Sequence, residues 1–191
     1  MARTREFDVD QAVDRAMDLF WRRGYAATSM QDLIAELGIG SGSLYAAFGS
    51  KERLYALALE RYCSANAGSL VAHLESAPEI RPALHAALTA MAQADLRDPE
   101  RGCLLVNAAT ERPCDTVTSD RVTATMRLVE STIAGALDRA KARGELSADK
   151  SSGELARFLT TFIQGLRVMG KARAGQAFIE DAINAAMRAL D

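Results

Sequence analysis

The sequence predicts an all-α protein of about nine helices, with an N-terminal three-helix unit containing a helix-turn-helix and a larger C-terminal helical domain. Three observations predict it. Ala, Leu, Arg and Glu, all good helix formers, are abundant, and only four prolines are present. Apolar residues fall at helical spacing in one segment after another. Gly or Pro stands between those segments, at Gly24, Gly38, Pro78, Pro99, Pro113 and Gly144. The expected division is residues 1–50 for the first unit and 51–191 for the second.

The totals restrict the function. The chain has 191 residues, 49% apolar and 25% charged, the balance of a globular protein with a real core. The net charge of −2 gives no global basic signature, so any nucleic-acid contact has to come from a local patch. No apolar window is long enough to span a membrane. The start, MARTREFDVDQ, turns acidic where a signal peptide would turn apolar, and a cytoplasmic location is expected. Three cysteines without CxxC spacing (Cys63, Cys103, Cys114) argue against a disulfide framework or zinc module. With only two histidines, His73 and His85, a metal site is poorly supplied, and no cofactor is expected. No GxSxG, P-loop or HExxH is present, so no catalytic residue is assigned.

Arg3 and Arg5 form either a frayed terminus or a basic arm reaching the DNA backbone or minor groove. Helix 1 is expected from Asp8, a capping residue with Gln11 three positions on, to Arg23. Val9, Val13, Ala16, Met17 and Phe20 make its apolar stripe, and Gly24 closes it. Helix 2 follows Thr28, with Thr28 and Gln31 as a second capping pattern. Met30, Leu33, Ile34 and Leu37 form its buried side. Gly38 breaks it, and Ile39 plugs the core between the helices. Helix 3 spans roughly Ser41 to Phe48. Leu44 and Phe48 face inward, leaving Ser41, Ser43 and Tyr45 outward. Small and hydroxyl side chains suit a helix lying deep in the major groove. Ser50 caps the next helix, and Lys51 in its first turn opposes the helix dipole, which makes an external anion a reasonable partner.

The run TSMQDLIAELGIGSGSLYAAFGSKERLY resembles the DNA-binding domain of the TetR/AcrR family of transcriptional regulators, and the likeness is continuous over residues 8–62. The Leu44-Tyr45 pair, Phe48 and Ser50-Lys51-Glu52 carry it. The resemblance implies double-stranded operator DNA as a partner, with Thr28, Ser41, Gly42, Ser43, Tyr45 and Lys51 at the DNA and Lys51 holding a phosphate. Two positions depart from the family pattern: Ser41 stands where a basic residue is common, and Ala47 where an imidazole is. Residues 1–61 carry eight Lys/Arg and nine Asp/Glu, so a three-helix module that binds protein is the alternative reading.

Helix 4 is expected from Lys51 to about Leu74, with Leu54, Leu57, Ala58 and Tyr62 as its early stripe. It either transmits a signal between the units or is simply a long core helix. Helix 5 covers about 82–96, helix 6 about 103–111, and helix 7 about 115–143 with Val122, Met126, Val129, Ile133 and Leu137 inward. Helix 8 (152–174) is apolar on more than one side, and a terminal helix 9 (176–190) this apolar would expose a patch in a monomer, which favours self-association over ordinary core packing. The resemblance implies a homodimer through these two helices, placing Phe158, Phe162, Leu166, Ile179, Ile183 and Met187 at its interface.

The resemblance further implies a small-molecule effector bound between helices 4 and 8 that releases a repressor from its operator. Met91, Cys103, Met126 and Phe162 are the expected pocket residues, though such residues also serve as plain core. An alternative is an electrophile- or redox-sensing repressor acting through Cys103 or Cys114. Both lie near helix starts, which favour the thiolate, and RGCLLVNAATERPCD loosely resembles the corresponding region of electrophile-responsive repressors in the family. Reach argues against a Cys103–Cys114 disulfide: eleven residues of continuous helix would span about 16 Å, against roughly 6 Å for a bridge.

Overall fold

A computed structural model describes residues 7–191, and Arg3 and Arg5 lie outside them. The described residues form nine α-helices and one short 3-10 turn, with no strand. α1 (Val9–Arg23), α2 (Met30–Leu37) and α3 (Ser41–Phe48) make the N-terminal unit, and α4 (Lys51–Ser76) leads out of it. α5 (Ile80–Arg97), α6 (Leu104–Glu111), α7 (Thr116–Ala142), α8 (Ser152–Lys171) and α9 (Gln176–Met187) complete the chain, ending in the turn Arg188–Leu190.

Local chemistry sets the boundaries. Asp8 Oδ1 accepts the Gln11 N–H at 3.1 Å, so α1 starts where its cap is. α2 is capped one residue later than the sequence pattern suggests. Ser29 and Asp32 form the reciprocal box: Ser29 Oγ accepts the Asp32 N–H and Asp32 accepts the Ser29 N–H at 2.8 Å. Thr28 is buried and donates its hydroxyl to the Gly24 carbonyl at 2.7 Å, pinning the α1–α2 turn. Gly38 (φ 68°, ψ 26°) takes the left-handed conformation that turns the chain from α2 into α3. Ser50 caps α4 by accepting the Arg53 N–H at 3.3 Å.

Two apolar cores result. The first joins α1–α3 through Phe20, Leu33, Leu44 and Phe48. It continues past residue 50 into Leu54, Tyr55, Leu59 and Tyr62 of α4, and includes Leu104, Leu105 and Ala108 of α6. The second joins Leu70 and Leu74 of α4 to α5, α7, α8 and α9. α4 has 26 residues, about 39 Å, and contributes to both cores. Leu57, expected in the buried stripe, is exposed, because Tyr55 and Leu59 take the inward positions around it.

Four residues expected at a subunit interface lie inside the protomer. Leu166, Ile179, Ile183 and Met187 are buried in the second core, where α9 closes over α5 and α8. The apolar side chains left outward on α8 and α9 are Phe158, Val168 and Phe178. α5 and α8 approach closely at Gly170, where a Cβ would lie 2.6 Å from Asp95 Cβ.

Candidate nucleic-acid interface

α3 presents its outer face through Ser41, Gly42, Tyr45, Ala46 and Ala47, with Ser43 half-buried beside them. Leu44 and Phe48, fully or nearly fully buried, anchor the opposite face. The helix is therefore held by two large side chains and offers small ones outward, the shape a major groove admits. Tyr45 is the one large outward group on it, 49% exposed. Thr28, expected at the DNA, is buried one turn of chain behind this surface, and Ser29 takes the exposed position.

The cations around this face divide sharply. Arg15 bonds the carbonyls of Glu36 and Leu37 at the α2 C-terminus. Arg23 pairs with Asp32 at 3.1 Å and Arg22 with Asp98 at 3.2 Å. Arg15 and Arg23 thus hold the unit together, and Arg22 ties it to the end of α5. Among the described residues of α1–α3 and the first turn of α4, Lys51 and Arg53 make no ion pair with a carboxylate. Arg53 is exposed and reaches back over the end of α3, its Nη1 lying 3.1 Å from where a Gly49 Cβ would be. Sequence reading missed it. The signal was a second cation, two residues after Lys51, in the turn next to α3.

Lys51 has an unusual setting. Its Nζ lies 4.0 Å from the centre of the Tyr25 ring, and Arg112 lies over the same ring at 3.8 Å. Partial burial lowers the Lys51 ammonium, with Arg112 adding to the effect and Glu52 opposing it. The Tyr25 hydroxyl donates to Glu52 Oε1 at 2.8 Å. Bonds from its own backbone N–H, Ser50 and Tyr25 hold the Glu52 carboxyl down at about 2. Glu111 accepts the backbone N–H groups of Tyr25 (2.7 Å) and Ala26 (3.4 Å). The end of α6 is thereby fastened to the α1–α2 turn and to the base of the lysine.

The start of α6 is fastened to α1 as well. The Gly102 carbonyl accepts from Trp21 Nε1 at 3.0 Å. Arg101 pairs with Asp18 at 3.0 Å and lies over the Trp21 ring at 4.8 Å. Beside this joint is a cavity of about 80 Å³ walled by α4, α5, α7, α8 and the α5–α6 junction. Met91 and Cys103 line it; Tyr62, Asn66, Thr125, Gln164 and Arg167 supply polar groups. Met126 packs instead against the first core, and Phe162 stacks on Phe158 at the α8 surface, so neither is part of its wall. Cys103 is buried and receives a long bond, 3.5 Å, from the Tyr62 hydroxyl; Cys114 is exposed at the α6–α7 corner. Among the described residues no cluster of His, Cys, Asp or Glu could hold a metal, and no helix is long and apolar enough to cross a membrane.

Two short helices joined by a tight glycine turn, the second with a small-residue outer face and two cations without carboxylate partners in the turn that follows, point to a helix-turn-helix DNA-binding protein. Comparison with known proteins gives the family. Residues 12–58 match the model for bacterial regulatory proteins of the tetR family, and residues 78–186 match a tetracyclin repressor-like C-terminal domain. The HTH-type transcriptional regulator YezE of Bacillus subtilis (strain 168) is 31% identical over all of both chains. The HTH-type transcriptional repressor ComR of Escherichia coli (strain K12) is 33% identical over 90% of this chain and 83% of its own. A cysteine mutant of the TetR family transcriptional regulator CifR, complexed with 26-bp double-strand operator DNA, superposes with a TM-score of 0.88 at 34% identity over all of both chains. The chain belongs to the TetR family of transcriptional regulators.

Proposed function

We propose that the chain is a repressor that binds operator DNA as a homodimer and releases it when a small molecule enters the cavity beside α6. It acts by binding, not by catalysis, and works in the cytoplasm. The observation that carries the reading is the α3 face, small and outward, with Lys51 and Arg53 in the turn of helix that follows it. Its likeness over the full chain to a regulator solved on operator DNA supports it. Phe158, Val168 and Phe178, exposed on α8 and α9, support the dimer. Two half-sites lie one helical turn apart, so a small shift of either head spoils simultaneous fit.

The test is a gel-shift with the duplex upstream of the chain's own coding sequence. Binding by the wild type and a loss of at least about tenfold in Tyr45→Ala/Lys51→Ala is expected, with a shallower salt dependence from the lost phosphate contact. Unaltered binding by the double variant would remove the assignment.

A second reading has one observation behind it: the Cys103 thiol sits in the cavity wall against Tyr62. An electrophile entering there would modify it. Electrophile-induced DNA release that survives Cys103→Ser and is lost in Cys114→Ser would move the role to the exposed thiol; release surviving both would end this reading.

A further inference from the structure

The cavity has a hydrogen-bonding character that narrows what can occupy it. Its body is apolar, walled by Leu70, Met91, Leu105, Val129 and Ile163. Its volume, about 80 Å³, is below the about 150 Å³ of a cavity that takes benzene, so the occupant has few heavy atoms. Of the polar groups in its wall, two lie on one turn of α8. Gln164 Oε1 is buried with no hydrogen-bond partner, an acceptor waiting for a donor. Arg167, 8% exposed, carries five N–H donors. Its Nη2 donates to the Gly102 carbonyl at 2.9 Å and makes a long 3.5 Å contact with the Tyr62 hydroxyl. Its Nε lies 3.1 Å from Asp95 Oδ2 in an ion pair, without hydrogen-bond geometry.

Charge decides against an anion. Arg167 is the one cation in the wall, and Asp95 already balances it. A carboxylate would add an uncompensated charge to a buried site. A neutral group that accepts from Arg167 and donates to Gln164 satisfies both side chains at no cost in charge.

The same guanidinium reaches the DNA-reading unit in one further bond. The Gly102 carbonyl takes two donors, Arg167 from α8 and Trp21 Nε1 from α1 at 3.0 Å. An occupant that draws Arg167 toward itself weakens one of the two bonds holding that carbonyl. The α5–α6 turn is then released from α8 while Trp21 and Arg101 still hold it to α1, so the two can shift together.

We propose that this cavity binds a small neutral molecule with adjacent hydrogen-bond acceptor and donor, of carboxamide pattern, and that its binding reaches α1 through the shared Gly102 carbonyl. The location of the effector rests on the regulator reading above; its chemistry and the route are the additions.

Trp21 is the chain's single tryptophan, so its emission reports on this joint directly. The experiment titrates the full-length protein with three probes of matched shape and four heavy atoms each: acetamide, acetate and acetone. Trp21 emission and affinity for the upstream duplex are read together. The amide is expected to shift the emission saturably and to weaken DNA binding several-fold, with the ketone and the anion without effect. Arg167→Met and Gln164→Leu are expected to abolish both responses. Gln164, partly exposed, serves if Arg167→Met does not fold by circular dichroism. No preference for the amide, or a response unchanged in both variants, would overturn the ligand class. Saturable amide binding with silent Trp21 emission would overturn the route. Absence of any DNA binding by the untreated wild type would instead strike the regulator reading, leaving the emission titration to decide the cavity.

Discussion

Asp95 offers the sharpest quantitative check on the α5–α8 contact. It is 2% exposed, set against the bare Cα of Gly170, and its one charged neighbour in contact is Arg167. Burial pushes its carboxyl up to about 6, with the Arg167 charge only partly offsetting this. The physical reason is that Arg167 divides its donors among Gly102, Tyr62 and Asp95 and meets the carboxylate without hydrogen-bond geometry. A carboxyl whose pKa is raised on folding contributes stability that is fully present below the unfolded value near 3.8 and lost as pH rises through about 6. The raised value corresponds to about 3 kcal/mol in the limit of full protonation, and to about 1 kcal/mol of it at about pH 5. Asp95→Asn abolishes the titration with little change of shape. Urea unfolding of both proteins at fixed concentration, near pH 7.5 and near pH 5, should show the wild type gaining about 1 kcal/mol on the variant as pH falls. A difference that stays flat, or moves against the wild type on acidification, would show that Arg167 holds the carboxylate better than the bent contact implies.

Three further outcomes follow from packing. Leu44→Ala removes a fully buried anchor of α3 and should lower stability by about 2–5 kcal/mol, read by chemical unfolding, with DNA binding lost alongside. Gly170→Ala would place a Cβ 2.6 Å from Asp95 Cβ and should cost about 1–3 kcal/mol, whereas Gly165→Ala on the same helix, with nothing within 4 Å, should be tolerated. Phe158→Asp, on an exposed α8 position stacked with Phe162, should give a monomer by analytical ultracentrifugation with helix content intact; an unaltered dimer would place the subunit contact elsewhere.

The helices were legible because their start and stop signals are local. Asp8, Gly38 and Ser50 act through bonds to residues within four positions, and each does what its type and place in the sequence suggest. The exception, Thr28 against Ser29, arose because TSMQD offers two overlapping capping patterns. The Asp32 carboxylate made the second one stronger by accepting the Ser29 N–H, which also left Thr28 free to bond backward to Gly24. What periodicity could not tell was which apolar neighbour a stripe would meet. Leu166, Ile179, Ile183 and Met187 read as surplus apolar faces, yet α9 folds back over α5 and α8 and buries them within one chain. Long-range polar contacts left no trace at all. Glu111 caps a turn 86 positions away, and Arg167 meets Gly102 across 65, through side chains that look like ordinary charged residues in sequence.

Those long-range contacts change how the DNA-reading unit is understood. α4 belongs to both cores and can carry motion, and it is tied to the unit by Arg61 on Asp10 and Asp14 and by Glu52 on Tyr25, all in its first half. α6 is different, because it grips the unit by directional bonds at both ends: Gly102 and Arg101 on α1 at its start, Glu111 and Arg112 on Tyr25 at its finish. Displacing α6 therefore must break hydrogen bonds or carry the α1–α2 turn with it. The second grip also touches the charge proposed to meet DNA, since Arg112 and Lys51 lie over one tyrosine ring and Arg112 helps lower the lysine ammonium. Because Arg15, Arg22 and Arg23 are tied into ion pairs or carbonyl bonds, few cations remain to make up for a misplaced Lys51. A head this sparsely charged depends on both copies fitting at once, and under the proposal an occupant of the cavity that loosens the start of α6 would act on an element well placed to disturb that fit.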